Sequence, residues 1–232
     1  MKKTLISALI ASSLLPMLAH AEAGDWVVRL RAVSISPNED SKLGKLVNQN
    51  VAPVMDNGAE LKVDSNTIPE LDISYYFTKN IATELILATG SKHDVKISKE
   101  SGSTVPNQLL GSIDALPPTL TVQWHFNPDQ MFDPYVGAGL NATFMLDRKL
   151  NLRQGPLAGQ KIRIDRDSFG PAVQAGFDIN LKDGWLINAD VKYIWLDTDV
   201  EMQNPLNGNK WTKIDDLDVN PWVVGIGIGK KF

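Results

Sequence analysis

Eight segments of this chain alternate apolar and polar residues with a period of two, and that period specifies strands with one apolar face. In WVVRLRAV, Trp26, Val28, Leu30 and Ala32 stand opposite Arg29 and Arg31. In IPELDISYYF, Leu71, Ile73, Tyr75 and Phe77 oppose Glu70, Asp72, Ser74 and Tyr76. IATELILATG sets Thr83, Leu85 and Leu87 against Glu84, Ile86 and Ala88. The same reading holds for LTVQWHF, PYVGAGLNATFML, SFGPAVQAGFDINL, WLINADVKYIWLDT and VNPWVVGIGIGKKF. The connections alternate as well. Residues 78–80, 127–133 and 182–184 are short links, whereas 36–67, 91–114, 148–167 and roughly 199–216 are long ones.

An even number of strands, with short turns at one end and long loops at the other, describes an eight-stranded antiparallel transmembrane β-barrel. Both termini then lie on the short-turn, periplasmic side, and the long loops are extracellular. Several segments reach the roughly 9–11 residues that a tilted strand needs to cross a bilayer. The apolar face ends in aromatics, among them Trp26, Phe77, Trp124, Phe126, Phe144, Trp185, Trp195 and Trp222, as two membrane interfaces require. A soluble barrel, with its apolar face inside, is the rival architecture.

The polar face must fill a narrow interior, where unpaired charge is costly. Arg29 and Arg31 have acidic candidates in Glu70, Asp72 and Glu84, and Lys192 has Asp190 or Asp178. A salt-bridged plug is the expectation for eight strands, rather than a conducting axis.

The N-terminus reads MKKTLISALIASSLLPMLAHA: two lysines, an apolar run and a small-x-small site. That is a secretory signal over residues 1–21, with a single barrel domain over 22–232. The apolar run is too short to span a membrane, which takes about 20 residues. No cysteine is present, which excludes disulfides, thiolate metal sites and thiol catalysis. A net charge of −4 leaves no basic footprint for nucleic acid. The sequence implies no cofactor.

Pro117 and Pro118 interrupt the donor row at the head of the LTVQWHF strand. Taken alone, they either mark a break in the wall or simply end a strand below a long loop. Five stretches together resemble the OmpW family of small outer-membrane barrels: LPPTLTVQWHF, PYVGAGLN, AGFDINLKDGWLINADVKYI, VNPWVVGIGIGKKF, and NIATELILAT followed by His93. The resemblance implies a barrel of the Gram-negative outer membrane that passively takes up small hydrophobic molecules through an apolar pocket near its extracellular end. It also implies a lateral opening beside Pro117 and Pro118, and a pocket floor lined by Ile86. Lys192 falls where some family members carry a tryptophan that helps close the lumen, so a lysine there makes the constriction more polar or pairs with Asp190. A second departure is Lys230, where many barrels place an aromatic. The terminal Phe232 suits recognition by the barrel-assembly machinery; outer-membrane lipid and lipopolysaccharide are the surrounding partners.

Other motifs carry less. His93, read as part of a loop, and His125, near the periplasmic rim, lack metal-site spacing and are expected to be ordinary polar residues. The acidic stretches MDNGAELKVDSN and DRDS lack the ligand run of a calcium loop. Apolar loop residues such as Leu43, Leu46, Val47, Val51, Val54, Leu109, Leu110, Leu152 and Leu157 either pack on one another or form a hydrophobic funnel. The alternative function is a surface barrel that receives phage, toxin or host factors. An enzyme would need a Ser/His pair on one strand face near an interface, and none is found by reading the chain.

Overall fold

A computed structural model describes residues 22–101 and 104–232; the expected signal sequence lies outside the described residues. Along the chain run β1 (Trp26–Ser36), α1 (Leu43–Asn50), β2 (Glu60–Val63), β3 (Asn66–Tyr76), β4 (Ile81–Ala88), β5 (Ser91–Ser98), β6 (Gln108–Leu116), β7 (Thr119–His125) and β8 (Phe132–Asp147). There follow β9 (Lys149–Asn151), β10 (Lys161–Ile164), β11 (Asp167–Asn180), β12 (Trp185–Ile194), β13 (Asp197–Asn204), β14 (Lys210–Asp218) and β15 (Trp222–Lys231).

Eight of these strands close into an antiparallel ring in the order β1, β3, β4, β7, β8, β11, β12, β15. The ring is sealed by β1 against β15, in register from Val27 opposite Lys231 to Ser36 opposite Trp222. Closure leaves no strand edge, the condition for putting β structure in hydrocarbon. The tight turns follow local chemistry. Between β11 and β12, Asp183 and Gly184 both take positive φ, 57° and 75°, which matches the twist of a two-residue hairpin.

The predicted faces are the observed ones. Leu30, Leu120, Val136, Leu140, Val173, Ile226 and Ile228 point outward and are exposed. Trp26, Phe77, Trp124, Phe126, Phe132 and Trp185 ring the periplasmic end of this band, and Phe144, Phe169, Trp195 and Trp222 the other. Glycines on the inner face of β15 make room for arginine. A Cβ on Gly229 would lie 2.8 Å from Arg29 Cγ, and one on Gly227 2.7 Å from Arg31 Cγ.

The long connections are not the open loops that the sequence suggested. β5 and β6 form a hairpin that extends the wall above β4 and β7, with β2 on its edge. A separate four-stranded sheet, β9, β10, β13 and β14, rises above β8, β11, β12 and β15. These elements and α1 enclose an apolar core that includes Leu43, Val47, Leu61, Val95, Leu110, Leu150, Leu152, Leu157, Ile162 and Met202. Of the two readings left open for the apolar loop residues, self-packing is the one seen for Leu43, Val47, Leu110, Leu152 and Leu157. Gly44 presses α1 against the Asp56–Ala59 turn, where a Cβ would meet the Asp56 carbonyl. Asp215 ties the start of α1 to β14 by accepting from Ser41 Oγ and, at 2.7 Å, the Lys42 amide. Burial pushes the Asp215 carboxyl above its ordinary range, while those donors pull it back.

Candidate functional site

The interior is layered along the barrel axis. At the periplasmic end Val27, Tyr76, Ala82 and Leu186 pack together. Beside them His125 meets Asp133 at 2.7 Å and Tyr76 Oη at 3.1 Å. His125, Asp133 and Asp178 each offer a ligand atom within 4.8 Å of the others. However, Asp178 is already held by Arg29 at 2.6 Å and Asn188 at 2.8 Å, so these groups satisfy one another without an ion.

Above lies the charge network. Arg29 pairs with Glu84 at 3.2 Å as well as with Asp178, and donates to Ser74 Oγ at 2.7 Å. Arg31 pairs with Glu70 at 2.6 Å, Asp190 at 3.1 Å and Asp72, and donates to Asn188 at 3.0 Å. Lys192 sits 2.6 Å from Asp190 and 3.6 Å from Glu70. All of these side chains are buried. Gln123 and Gln174 complete Glu84 at 2.9 and 3.0 Å. The charges therefore block the axis rather than line a water path. The sequence supplied most of these residues and offered Lys192 either Asp190 or Asp178; the fold gives Asp190 to Lys192 and Asp178 to Arg29.

One step further out the lumen turns apolar. Val33, Ile35, Ile68, Ala88, Ala172, Ile194, Leu196 and Val223 form a layer across it. Above that layer lies a cavity of about 60 Å³, walled by Ile35, Ile113, Ala115, Pro117, Met145 and Leu196, with Ser91, His93 and Thr143 as its polar groups. Ile86 is buried on the lumen side below Ala88, opposite Asp72 and Thr119, and does not line this cavity.

Ser91, and its pairing with His93, had no place in the sequence reading. The two residues occupy alternate positions of β5, so they share a face, and Ser91 Oγ lies 2.6 Å from His93 Nε2. His93 Nδ1 lies 2.7 Å from the Asp64 carbonyl, which requires a proton on Nδ1. This corrects one expectation, since His93 is in a strand and not in a loop, and it puts a Ser/His pair on one strand face beyond the membrane band. The period-two spacing of SKH was the available signal; it went unread because the segment lies beyond the membrane band.

Pro117 and Pro118 fall between β6 and β7. The β4–β7 ladder ends with Ile86 opposite Thr119, and the β5–β6 ladder begins with Ser91 opposite Ala115. Between them no rungs join the two sides. Backbone groups of successive strand residues face opposite neighbours. The Pro118 carbonyl accepts from Ala142 of β8 at 3.0 Å, so its missing N–H faces β8 and that of Pro117 faces β4. Each proline thus removes a donor from a different side. From β8, Asn141 holds the prolines through their carbonyls: its Nδ2 donates to the Pro117 and Pro118 carbonyls at 3.3 Å and to Thr119 Oγ1 at 2.9 Å, which ties the segment down without replacing the lost N–H groups. The gap toward β4 has no such staple among the described residues. On the outer wall a depression of about 340 Å³ runs over Leu85, Pro118, Leu120, Leu140, Asn141 and Phe169. The inner cavity touches Pro117 and the outer depression Pro118, so the wall between them is one strand thick.

The OmpW family model matches residues 22–232. Outer membrane protein W of Vibrio cholerae serotype O1 is 37% identical over 236 residues, covering 100% of both chains. The protein of that name from Escherichia coli K12 is 32% identical over 236 residues, again covering 100% of both. The crystal structure of outer membrane protein OprG from Pseudomonas aeruginosa superposes with a TM-score of 0.78 at 31% identity, over 92% of this chain and 98% of that one. Sequence, closed barrel and relatives agree: the chain belongs to the OmpW family and is a protein of the Gram-negative outer membrane.

Proposed function

We propose that the barrel passes small hydrophobic molecules from the extracellular side sideways into the membrane, leaving the wall beside Pro117 and Pro118. The observation that supports this most is the placement of an apolar inner cavity and an apolar outer depression on opposite sides of those prolines, at an unpaired stretch of the ladder. The charge network beneath them makes the straight route to the periplasm unfavourable for an apolar solute. At about 60 Å³ the cavity holds only a few waters, whereas pockets for drug-sized ligands run to roughly 300–1,000 Å³. A ligand must therefore widen it, and the segment with fewest rungs is the cheapest to move. The driving force is transfer of apolar area out of water, about 25 cal/mol per Å². No reaction chemistry is needed.

The test is uptake of a hydrophobic dye into vesicles bearing the wild-type barrel or the Pro117→Thr/Pro118→Val variant. Uptake by the variant should fall toward that of empty vesicles. Equal uptake by folded variant and wild type would sink the lateral route.

A second reading, a receptor for phage, toxin or host factors, draws support from the extracellular elements having a packed core of their own. It predicts that such binding survives the proline replacements.

A further inference from the structure

The four-stranded extracellular sheet has a second face, which the uptake route does not use. Leu150, Ile162, Val200 and Met202 point into the extracellular core. The alternate residues therefore point away from it. Paired across the strands they make two rows: Lys149, Arg163, Glu201 and Lys213, then Asn151, Lys161, Gln203 and Trp211. A groove of about 490 Å³ runs over this face, lined by Arg148, Lys149, Lys161, Arg163, Gln203 and Trp211 among others.

Four cations in one groove are unexpected in a chain of net charge −4. Only one is neutralised within the sheet: Arg163 gives Nε and Nη2 to Glu201 Oε2, at 2.7 and 2.6 Å. That leaves Nη1 free to donate. The same guanidinium lies over the Trp211 ring, 4.2 Å from its centre, so the two groups steady each other by a cation–π contact. Arg148 uses one nitrogen on the Ile164 carbonyl at 3.0 Å. Lys149 and Lys161 have no ion-pair partner among the described residues. Cations with spare donors, side-chain amides and an indole make the chemistry that holds phosphorylated sugars.

Position selects the source. Phe144 and Leu146 of β8 face lipid, as does Phe169 of β11, and Lys149 follows Leu146 by three residues. At roughly 3.3 Å per residue along a strand tilted by about 40°, the groove stands about 7–8 Å beyond the hydrocarbon edge. This is the headgroup level, where the bilayer adds several Å of polar material beyond its core. We propose that this face binds the phosphorylated sugars of lipopolysaccharide in the surrounding outer leaflet, anchoring the extracellular sheet to its lipid.

The experiment uses the full barrel in nanodiscs with a purified phosphorylated rough lipopolysaccharide, the same material after dephosphorylation, and a soluble sugar phosphate. The K149Q/K161Q/R163Q variant is compared with K45Q/K92Q/K99Q, which loses equal charge from exposed lysines outside this face. Folding of each is confirmed by its gel shift on boiling. Binding is followed by Trp211 fluorescence, isolated with a Trp211→Phe variant. The groove variant should bind about tenfold more weakly or worse, the range for losing charge-assisted contacts, with the control triple unchanged. Dephosphorylated material should bind wild type as weakly as the groove variant binds intact material. Equal losses in both triples, no loss in either, or indifference to phosphate would each overturn the proposal. Tight binding of the soluble sugar phosphate would reassign the face to free glycans.

Discussion

Arg31 and Lys192 look interchangeable as buried cations, but the barrel depends on them unequally. Arg31 touches Glu70, Asp72 and Asp190. Lys192 shares two of those partners, Asp190 and Glu70. Removing Lys192 leaves both acids with Arg31, whereas removing Arg31 strands Asp72. Arg31→Met should therefore cost about 3–5 kcal/mol, the range for orphaning buried charge, and Lys192→Met distinctly less; urea unfolding in lipid vesicles measures both. Equal losses would show that the network does not share its acids as drawn. At this scale the sequence was informative wherever the period of two decided the face. Arg29, Arg31, Glu70, Asp72, Glu84, Asp190 and Lys192 are all inside, as their alternation requires. The pairing of Arg29 with Asp178 was not legible, because it depends on which strands face each other across the lumen, and alternation says nothing about that.

The elements above the membrane were harder to read than those within it. β5 buries Ser91 and His93 on the same face as Val95 and Ile97, so its alternation is of position and not of polarity. β13 does the same with Thr198 and Asn204 beside Val200 and Met202, and in its partner β14 the register skips Ile214, so that Ile214 and Asp215 are buried in succession. A bulge shifts the phase, and a period-two reading fails there. The proline break could be located from sequence, since proline's lack of a donor is a local property; the Asn141 staple on one side of it could not. The unstapled side can be closed chemically. Extending the β4–β7 register places Ala88 opposite Pro117. Because the chain has no cysteine of its own, an Ala88→Cys/Pro117→Cys pair is the sole thiol pair in the molecule. Oxidation should cut dye uptake and reductant restore it; a confirmed crosslink with undiminished uptake would place the exit elsewhere.

The whole molecule reverses its polarity along its length. In the membrane the barrel is polar inside and apolar outside; above it, the extracellular strands and α1 enclose an apolar core and show charge to water. The cavity beside Pro117 and His93 sits at that reversal, with the apolar lumen layer beneath it and the extracellular core above. The seam of the ring lies between β1 and β15, the first and last strands, and even the terminal residues take part, Trp26 and Phe232 exchanging amide bonds at 3.1 and 2.8 Å. A chain truncated before Trp222 should therefore show no boiling-dependent gel shift, although its β5–β6 and β13–β14 hairpins are intact in sequence; a shift would mean that β1 finds another partner. The seam also sets a clock. No closed cylinder exists until β15 has been synthesised and exported, so the chain must cross the periplasm with its future lipid-facing band uncovered. How long it survives there depends on how readily that uncovered apolar band associates, and not on the stability of the finished barrel.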